Sequence, residues 1–279
     1  MRITSIGSFA LTALATARAI SITTSGVYTL TIAGRALTHG NATAPVTAEI
    51  PSRAANQAWT VFFVADGVVS LQNVATLEFA AITRGNPGIV GTNSSFGWVL
   101  FESNLFCTGT DSAFCISLVS SNGQLSLVNP GNPENLPQVF DATPIPPPRA
   151  WYEVHNVATN RIIGATPGFT FLSTYPASDR SEIWLVQPQE NSSTIALQNL
   201  DTSVWLTAES NGNVTAVFDP PAPWIVAFPA GLGQTLTPAS SGFLQVTAGT
   251  SLVIDSFTGQ TSTWVFHPVD PAPFLPRRV

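Results

Sequence analysis

Short apolar runs alternate with polar turns along the whole of this 279-residue chain. The clearest case lies between Asn56 and Phe79, where the runs 59–64 and 68–71 flank Asp66-Gly67. Asp-Gly between two β-branched and aromatic runs is a strong signal for a tight β-hairpin. No long segment repeats apolar residues every 3.6 positions, and 22 prolines and 20 glycines interrupt the chain every few residues. The pattern predicts an all-β protein of short strands.

The strand that follows each polar loop carries a large aromatic residue, and these residues are spaced 39 to 44 positions apart. They are Trp59, Trp98, Phe140, Trp184, Trp224 and Trp264. A second anchor recurs at 70–76, 153–159 and 196–202, where Asn follows an apolar and a polar residue and Thr comes three positions later. A fixed period of this size is the signature of a repeat architecture. Large aromatics at the repeated position are predicted to pack in the core.

The six units divide into two groups of three. A proline-rich stretch at 143–149 separates them, and such stretches favour extended, semi-rigid spacers. We therefore predict one domain over 20–142, a linker over 143–149, a second domain over 150–270 and a tail over 271–279. A six-bladed propeller is the competing architecture, because its blades also repeat about every 40 residues. The proline-rich midpoint and the lack of Trp-Asp or Gly-His blade motifs favour two domains.

The aromatic series carries a recognisable triplet. Gln57-Ala58-Trp59 matches a Gln-x-Trp motif strictly, and Gln138-Val139-Phe140 keeps its Gln and an aromatic residue. Three such units resemble the β-trefoil of ricin-B-type lectins, a family common among secreted and fungal proteins. The resemblance implies two tandem β-trefoil domains of three repeats each, and carbohydrate binding without catalysis.

Sugar-binding members of that family place an acidic residue just after the Leu that closes the second strand of a unit, where its carboxylate chelates two sugar hydroxyls. None of the corresponding residues here is acidic, and Asp255 is a shifted candidate in the sixth unit. The six positions are Thr38, Ala81, Ser126, Gly164, Thr207 and Val253. The usual galactose-type site is therefore expected to be missing from at least five units.

Trp205 is an aromatic residue outside the repeat register, as are Trp151 and Tyr175. It is followed by a polar loop with Asn211 and Asp219, so an exposed indole beside these groups is a candidate platform for a sugar ring. The alternative is a half-buried Trp that fills the mouth of a barrel. The predicted binding residues are thus Trp205, Asn211, Asp219 and Asp255.

The composition excludes several classes of function. Charged residues make up 9% of the chain, the ten basic residues are all Arg, and the net charge is −6. No basic patch is present to neutralise phosphates, which argues against nucleic-acid binding. The three histidines show no metal-ligand spacing, and neither a nucleophile elbow nor a phosphate-binding Gly loop occurs. We predict no catalytic residue, no metal and no cofactor.

Residues 1–19 have the features of a secretory signal peptide, with Arg2, a short apolar region and Ala17-Arg18-Ala19 at the end. No membrane span is predicted. Export predicts a disulfide between Cys107 and Cys115, with two free thiols as the alternative. Four Asn-x-Ser/Thr sequons, at Asn41, Asn93, Asn191 and Asn213, are candidate glycosylation sites, although a Ser/Thr-rich chain carries a few by chance.

Two functions from different classes agree with these features. The first is a secreted carbohydrate-binding protein with altered sugar sites. The second is recognition of a secreted protein through loops, since β-trefoils also serve as protease inhibitors and as accessory subunits of secreted enzymes. The expected partner is therefore a glycan or a secreted protein. A catalytic role has the least support, because no nucleophile-base or metal constellation stands out.

Overall fold

The computed structural model describes residues 22–41, 44–83, 86–101, 104–109, 114–130, 138–189, 193–219, 222–229, 233–238, 242–247, 251–256 and 259–274. Within these ranges the chain forms β-strands and four single-turn 3₁₀ helices, and no α-helix. The all-β prediction is therefore confirmed. The predicted leader at 1–19 and the sequon residue Asn191 lie outside the described residues, as do 275–279 of the predicted tail.

Twelve strands lie in the first half of the described chain. They are β1 (Gly26–Ile32), β2 (Arg35–Thr38), β3 (Thr47–Glu49), β4 (Ala58–Ala65), β5 (Val68–Asn73), β6 (Phe79–Thr83), β7 (Asn86–Thr92), β8 (Trp98–Phe101), β9 (Leu105–Cys107), β10 (Cys115–Leu118), β11 (Leu125–Val128) and β12 (Phe140–Pro144). The predicted strands at 59–64 and 68–71 correspond to β4 and β5. Gly67 turns between them with a φ of 66°.

The second half repeats this order. Its strands are β13 (Trp151–Asn156), β14 (Arg161–Thr166), β15 (Phe169–Thr174), β16 (Trp184–Pro188), β17 (Thr194–Asn199), β18 (Trp205–Ala208), β19 (Val214–Val217), β20 (Trp224–Ala227), β21 (Thr235–Pro238), β22 (Phe243–Val246), β23 (Leu252–Asp255) and β24 (Trp264–Pro268). The 3₁₀ helices are Ala55–Gln57, Arg180–Glu182, Gln260–Ser262 and Ala272–Phe274.

Strand pairing joins each half into a nearly closed ring. In the second half β13 pairs with β16, β16 with β17, β17 with β20 and β20 with β21, and β24 pairs back to β13. A bridge between Gln234 and Trp264 joins the two ends of that series. The remaining strands form the hairpins β14–β15, β18–β19 and β22–β23. Pairing from unit to unit is unlike a propeller, whose blades are separate four-stranded sheets.

The repeated Trp residues hold the units together through one recurring hydrogen bond. In each of five units the indole Nε1 donates to a backbone carbonyl of the second strand, at 2.7 to 3.0 Å. All five indoles and the Phe140 ring are fully buried. A buried indole N–H needs such a partner, which explains why Trp recurs at this position.

The second anchor caps a turn. The buried amide oxygen of Asn73 accepts hydrogen bonds from the backbone N–H groups of Ala75 and Thr76, and its Nδ2 donates to the carbonyl of Asn56. Asn156 and Asn199 make the same type of bond to the N–H and hydroxyl of the Thr three positions later. The recurring Asn and Thr are therefore turn residues.

Cys107 and Cys115 form a disulfide between β9 and β10, as predicted. The bond lies in a buried position, with Cys107 fully buried and Cys115 nearly so. No free cysteine occurs among the described residues.

Two hydrophobic clusters form the interior, one in each half. The cluster of the second half also includes Val27, Ala58 and Val74 of the first half. The two halves therefore share apolar contacts. The Thr60 hydroxyl donates to the carbonyl of Phe266 at 3.0 Å across the same boundary.

The proline-rich stretch is anchored on both sides. The Ile145 N–H donates to the carbonyl of Val27, and the Gln234 side-chain amide donates to the carbonyl of Ile145 at 2.9 Å. Tyr152 adds a hydrogen bond from its hydroxyl to the carbonyl of Pro148. These contacts fix the stretch against both halves.

Candidate functional site

A cleft of about 450 Å³ lies beside the strict Gln-x-Trp triplet, between β2, the end of β3 and the first 3₁₀ helix. We call it the side cleft. It is lined by Arg35, Glu49, Ile50, Ser52, Ala54, Asn56 and Gln57. Its volume lies within the range of small-ligand sites, and it combines an exposed apolar side chain, Ile50, with charged and amide groups.

Gln57 builds the wall of the side cleft. Its Oε1 accepts from the N–H of Ser52 at 2.6 Å, and its Nε2 donates to the carbonyl of Ile50 and to the hydroxyl of Thr38. Gln57 and Thr38 are both buried. The Gln of the triplet therefore ties the loop after β3 to β2, and its polar atoms are used within the protein.

Thr38 occupies the position where the resemblance places the sugar-binding acid. Its hydroxyl donates to the carbonyl of Ala36 and accepts from Gln57, so it has no role open to a ligand. A hydroxyl bonded within the protein therefore stands where the resemblance places the acid in this unit.

Asn56 is the polar residue of the side cleft that the sequence reasoning missed. Its backbone carbonyl accepts from the N–H of His39 and from the Nδ2 of Asn73, which fixes its position. Its amide Oδ1 is buried and has no hydrogen-bond partner among the described residues. A buried amide oxygen without a donor costs about 1–3 kcal/mol, so a ligand hydroxyl that donates to it is stabilised.

Charged groups lie at the rim of the same cleft. The Arg35 guanidinium donates to the carbonyls of Ala48 and Ser121, at 3.3 and 2.8 Å, and is therefore held in place. The Glu49 carboxylate accepts from the Thr47 hydroxyl at 3.2 Å. A guanidinium and a carboxylate on one rim offer both donors and acceptors to a hydroxylated ligand.

In the fourth unit Gly164 takes the position of Thr38, and the ring of Phe171 fills the space beside it. A Cβ atom placed on Gly164 would lie 2.3 Å from the ring of Phe171 on the paired strand. Glycine is therefore required there, and the aromatic ring takes the space in which a carboxylate would stand. The fourth unit nevertheless has a cleft beside its 3₁₀ helix, and the residues that line it include Asp179, Arg180 and Ser181.

The four predicted binding residues do not converge on one site. Trp205 is half-buried on β18 and pairs with Val217, the last residue of β19. Asp219 is exposed and lies two residues after Val217. Asn211 lies in the turn at the other end of that hairpin, where its Oδ1 accepts from the N–H of Asn213. Asp255 is exposed near that turn, because the N–H of Ile254 donates to the carbonyl of Gly212. Trp205 and Asp219 thus lie at one end and Asn211 and Asp255 at the other.

Sequence reasoning also missed a cluster of polar rings. His155 Nδ1 and His267 Nε2 lie 3.4 Å apart, although 112 residues separate them in the chain. Tyr175 stacks on His155, and Phe62 from the first half contacts His267 edge-on. His155 Nε2 bonds Asn160 in the following turn at 3.0 Å.

Burial controls protonation in this cluster. It lowers the pKa of His267 to about 3, with the nearby His155 acting in the same direction. Burial also raises the pKa of Glu153, the cross-strand neighbour of His267, to about 7. Within the described ranges no three His, Cys, Asp or Glu side chains are grouped to hold a metal ion. The cluster therefore holds neutral imidazoles against a carboxyl that protonates easily.

The described sequon residues lie on the surface. Asn41, Asn93 and Asn213 are exposed. No helix in the described ranges has both the length and the apolar character that a membrane crossing requires.

No protein-family model and no curated protein matches this chain. The fold matches 262 chains of solved structures, and one of them is a mosquitocidal holotoxin. That match is 13% identical in sequence with a TM-score of 0.42, and it covers 90% of this chain and 35% of the toxin chain. This chain thus spans about a third of the length of the toxin chain.

Proposed function

We propose that this chain is a secreted, non-catalytic carbohydrate-binding protein made of two tandem β-trefoil domains, 20–142 and 150–270. The nearly closed ring of strands and the three hairpins in each half support the fold assignment. The recurring indole-to-carbonyl bond supports three equivalent units in the second half and two in the first, where Phe140 replaces the third Trp. Carbohydrate binding is a common use of this architecture.

The observation that carries the function is the unpartnered Oδ1 of Asn56 in the side cleft. The Oδ1 is buried where the side chain now stands, so a sugar hydroxyl donates to it only after the amide rotates into the cleft, where it offers the ligand a donor and an acceptor together. Arg35 and Glu49 add further polar groups at the rim, and the exposed Ile50 side chain, 77% accessible, offers apolar area to the C–H face of a sugar ring. Binding in this mode does not require an acidic residue at the position of Thr38.

A glycan array tests this proposal. We expect the intact protein to be retained on a subset of immobilised glycans or cell-wall polysaccharides at micromolar concentration. Asn56→Ala should weaken that retention at least about tenfold, whereas Asn93→Ala, at an exposed loop position, should not change it. Retention by no glycan at that concentration would rule the proposal out.

A second function, recognition of a secreted protein, is favoured by one specific surface. Phe218 is 70% exposed and follows the strand that pairs with Trp205, with Asp219 beside it. Exposed aromatics next to a charged group are typical anchors of protein interfaces. Inhibition of papain-like or trypsin-like proteases, or co-purification with a secreted enzyme, lost in Phe218→Ala and kept in Asn56→Ala, would favour this alternative.

A further inference from the structure

The three hairpins of the second half meet around a cleft of about 540 Å³. We call it the axial cleft, since β15, β19 and β23 each contribute one side and contact one another. The residues that matter for its chemistry are Phe169, Thr170, Glu209, Asn213, Thr215 and Ser251. None of them lines the side cleft, so the axial cleft is a separate site.

Cross-hairpin hydrogen bonds fix the walls of the axial cleft. The Gly168 N–H donates to the carbonyl of Ala216 at 2.8 Å, and the Thr215 hydroxyl donates to the carbonyl of Gly168 at 3.1 Å. The Thr170 hydroxyl donates to the carbonyl of Val214 at 2.8 Å. A site held in this way loses little entropy when a ligand binds.

Phe169 stands on this fixed hairpin with 73% of its surface accessible. Its ring is the most exposed aromatic among the described residues, and it borders the cleft. A ring left in water at the edge of a polar cleft offers apolar area to one face of a ligand.

Glu209 is the one charged residue among those that line the axial cleft. Asn211 Nδ2 donates to its Oε2 at 3.1 Å and orients the carboxylate. Its other oxygen has no donor among the described residues. Together with the Asn213 amide and the Ser251 hydroxyl, it provides acceptors and donors opposite the aromatic ring.

We propose that the axial cleft is a second carbohydrate site, which takes one terminal neutral or amino sugar. This inference rests on the proposed function and assigns it a further location. The ring of Phe169 packs against the C–H face, and the Glu209 carboxylate and Asn213 amide bind hydroxyl or amino groups. A uronic acid is excluded, because its carboxylate would face that of Glu209.

The first half contains an internal comparison. The matching strands β3, β7 and β11 enclose a cleft of about 320 Å³, lined by residues such as Pro45, Ile89 and Leu125. Its lining includes neither an aromatic nor a charged side chain. The cleft of the first half therefore lacks the aromatic ring and the carboxylate that we assign to sugar binding in the axial cleft.

Asn213 is also the acceptor residue of an Asn-x-Thr sequon, which restricts how the protein for a binding test is produced. A glycan attached to its exposed side chain would fill the axial cleft. The test therefore uses full-length protein produced in a bacterial periplasm, where the disulfide forms and N-glycans are not added.

Saturation-transfer NMR with glucose, galactose, glucosamine and galacturonic acid as probes tests the axial cleft. The measurements use Asn56→Ala protein, which removes the contribution of the side cleft. We expect transfer to at least one neutral or amino sugar and none to galacturonic acid. Adding Phe169→Ala or Glu209→Gln should reduce the signal at least about fivefold, whereas Phe114→Ala, at an exposed aromatic of the first half, should leave it unchanged.

Thermal melting of each variant serves as the fold control, since all these side chains except Asn56 are exposed. Absence of transfer to every probe in Asn56→Ala protein, with transfer in the wild type, would overturn the axial site and leave the proposed function standing. Equal transfer to galacturonic acid, or no effect of Phe169→Ala, would overturn it as well. A wild type that binds no glycan on the array would refute both.

Discussion

At the scale of single residues, buried amides and indoles hold this chain together, and charges contribute little. Two contacts between basic and acidic side chains are described: His39 Nε2 lies 2.6 Å from Glu78 Oε2 in the interior, and Arg180 Nε lies 3.6 Å from Asp201 Oδ1, where both side chains are partly exposed. Gly91 closes over the first pair, since a Cβ there would lie 2.1 Å from the His39 ring. The turns are stabilised instead by the repeated residues Asn73, Asn156 and Asn199, each of which forms hydrogen bonds with two or more backbone groups.

Asn73→Ala should lower the free energy of unfolding by about 2–3 kcal/mol, because it removes the acceptor of the Ala75 and Thr76 N–H groups and one of the two donors to the carbonyl of Asn56. Urea denaturation of unglycosylated protein measures the change. Asn93→Ala, at an exposed loop position, should change the same quantity by less than about 0.5 kcal/mol. Equal effects of the two substitutions would contradict the structural role assigned to the repeated Asn.

The pKa of Glu153 predicts an unusual pH dependence. Its folded-state pKa of about 7 lies above the ordinary value of 4.5, mainly because burial disfavours the charged form. The folded state therefore holds a proton that the unfolded state has lost, and stability decreases as the pH rises from 4.5 to 7. His267 acts in the opposite direction between pH 3 and 6.5, because its folded-state pKa is lowered.

Glu153→Gln isolates the carboxyl contribution. Relative to the wild type, the variant should be unchanged at pH 4 and more stable by about 3 kcal/mol at pH 8. Urea denaturation at both pH values measures the difference. The glutamine keeps an oxygen that accepts from the N–H of Ala177, as Glu153 does at 3.1 Å. A variant that is less stable at pH 8 would mean that the ionised carboxylate stabilises the fold.

At the scale of elements, a tight contact fixes the hairpin β10–β11 against the hairpin β2–β3. Gly123 has a φ of 93° in the turn between β10 and β11, and its carbonyl accepts from the N–H of Ala48 on β3. A Cβ on Gly123 would lie 2.2 Å from the carbonyl oxygen of Ala48. Gly67 also has a positive φ but faces open space.

The two glycines form a matched pair. Gly67→Ala should lower the free energy of unfolding by about 1 kcal/mol, from the left-handed backbone alone. Gly123→Ala should lower it by roughly 2 kcal/mol more, because the backbone of β3 has to move. Chemical denaturation measures both. Equal losses would show that the two hairpins do not meet as closely as described.

The sequence predicted those elements whose signal is local. β4, β5 and the turn at Asp66-Gly67 follow from alternating runs and a turn dipeptide, and the Trp period marks the residues that bond the second strands. Distant contacts left no local signal. His155 and His267 are 112 positions apart, and the axial cleft combines Phe169, Glu209 and Ser251 from three hairpins. Asn56 directly precedes the one strict triplet, but only the fold reveals its unpartnered oxygen.

At the scale of the whole molecule, the two halves share interior contacts. Thr60 is fully buried and bonds Phe266, Gln72 bonds Pro268 at 3.3 Å, and Val27 packs with the second cluster. The proline-rich stretch is bonded to both halves. Such shared contacts couple the stability of one half to that of the other.

We therefore expect a single unfolding transition in urea, with tryptophan fluorescence and far-UV circular dichroism giving the same midpoint. Thr60→Val, which keeps the volume and removes the bond to Phe266, should lower the free energy of unfolding by about 1–2 kcal/mol without splitting the transition. Thr143→Val, on an exposed position of β12, serves as the control. Two separate transitions in the wild type would show that the halves are independent.

The most direct test of the carbohydrate-binding proposal is a crystal structure of the protein soaked with a saccharide that the glycan array selects. We predict a sugar in the side cleft, with a hydroxyl within hydrogen-bond distance of the Asn56 amide and with Arg35 or Glu49 as a second contact. A side cleft that stays empty while a sugar binds elsewhere, for example stacked on Trp205 beside Asp219, would contradict this assignment.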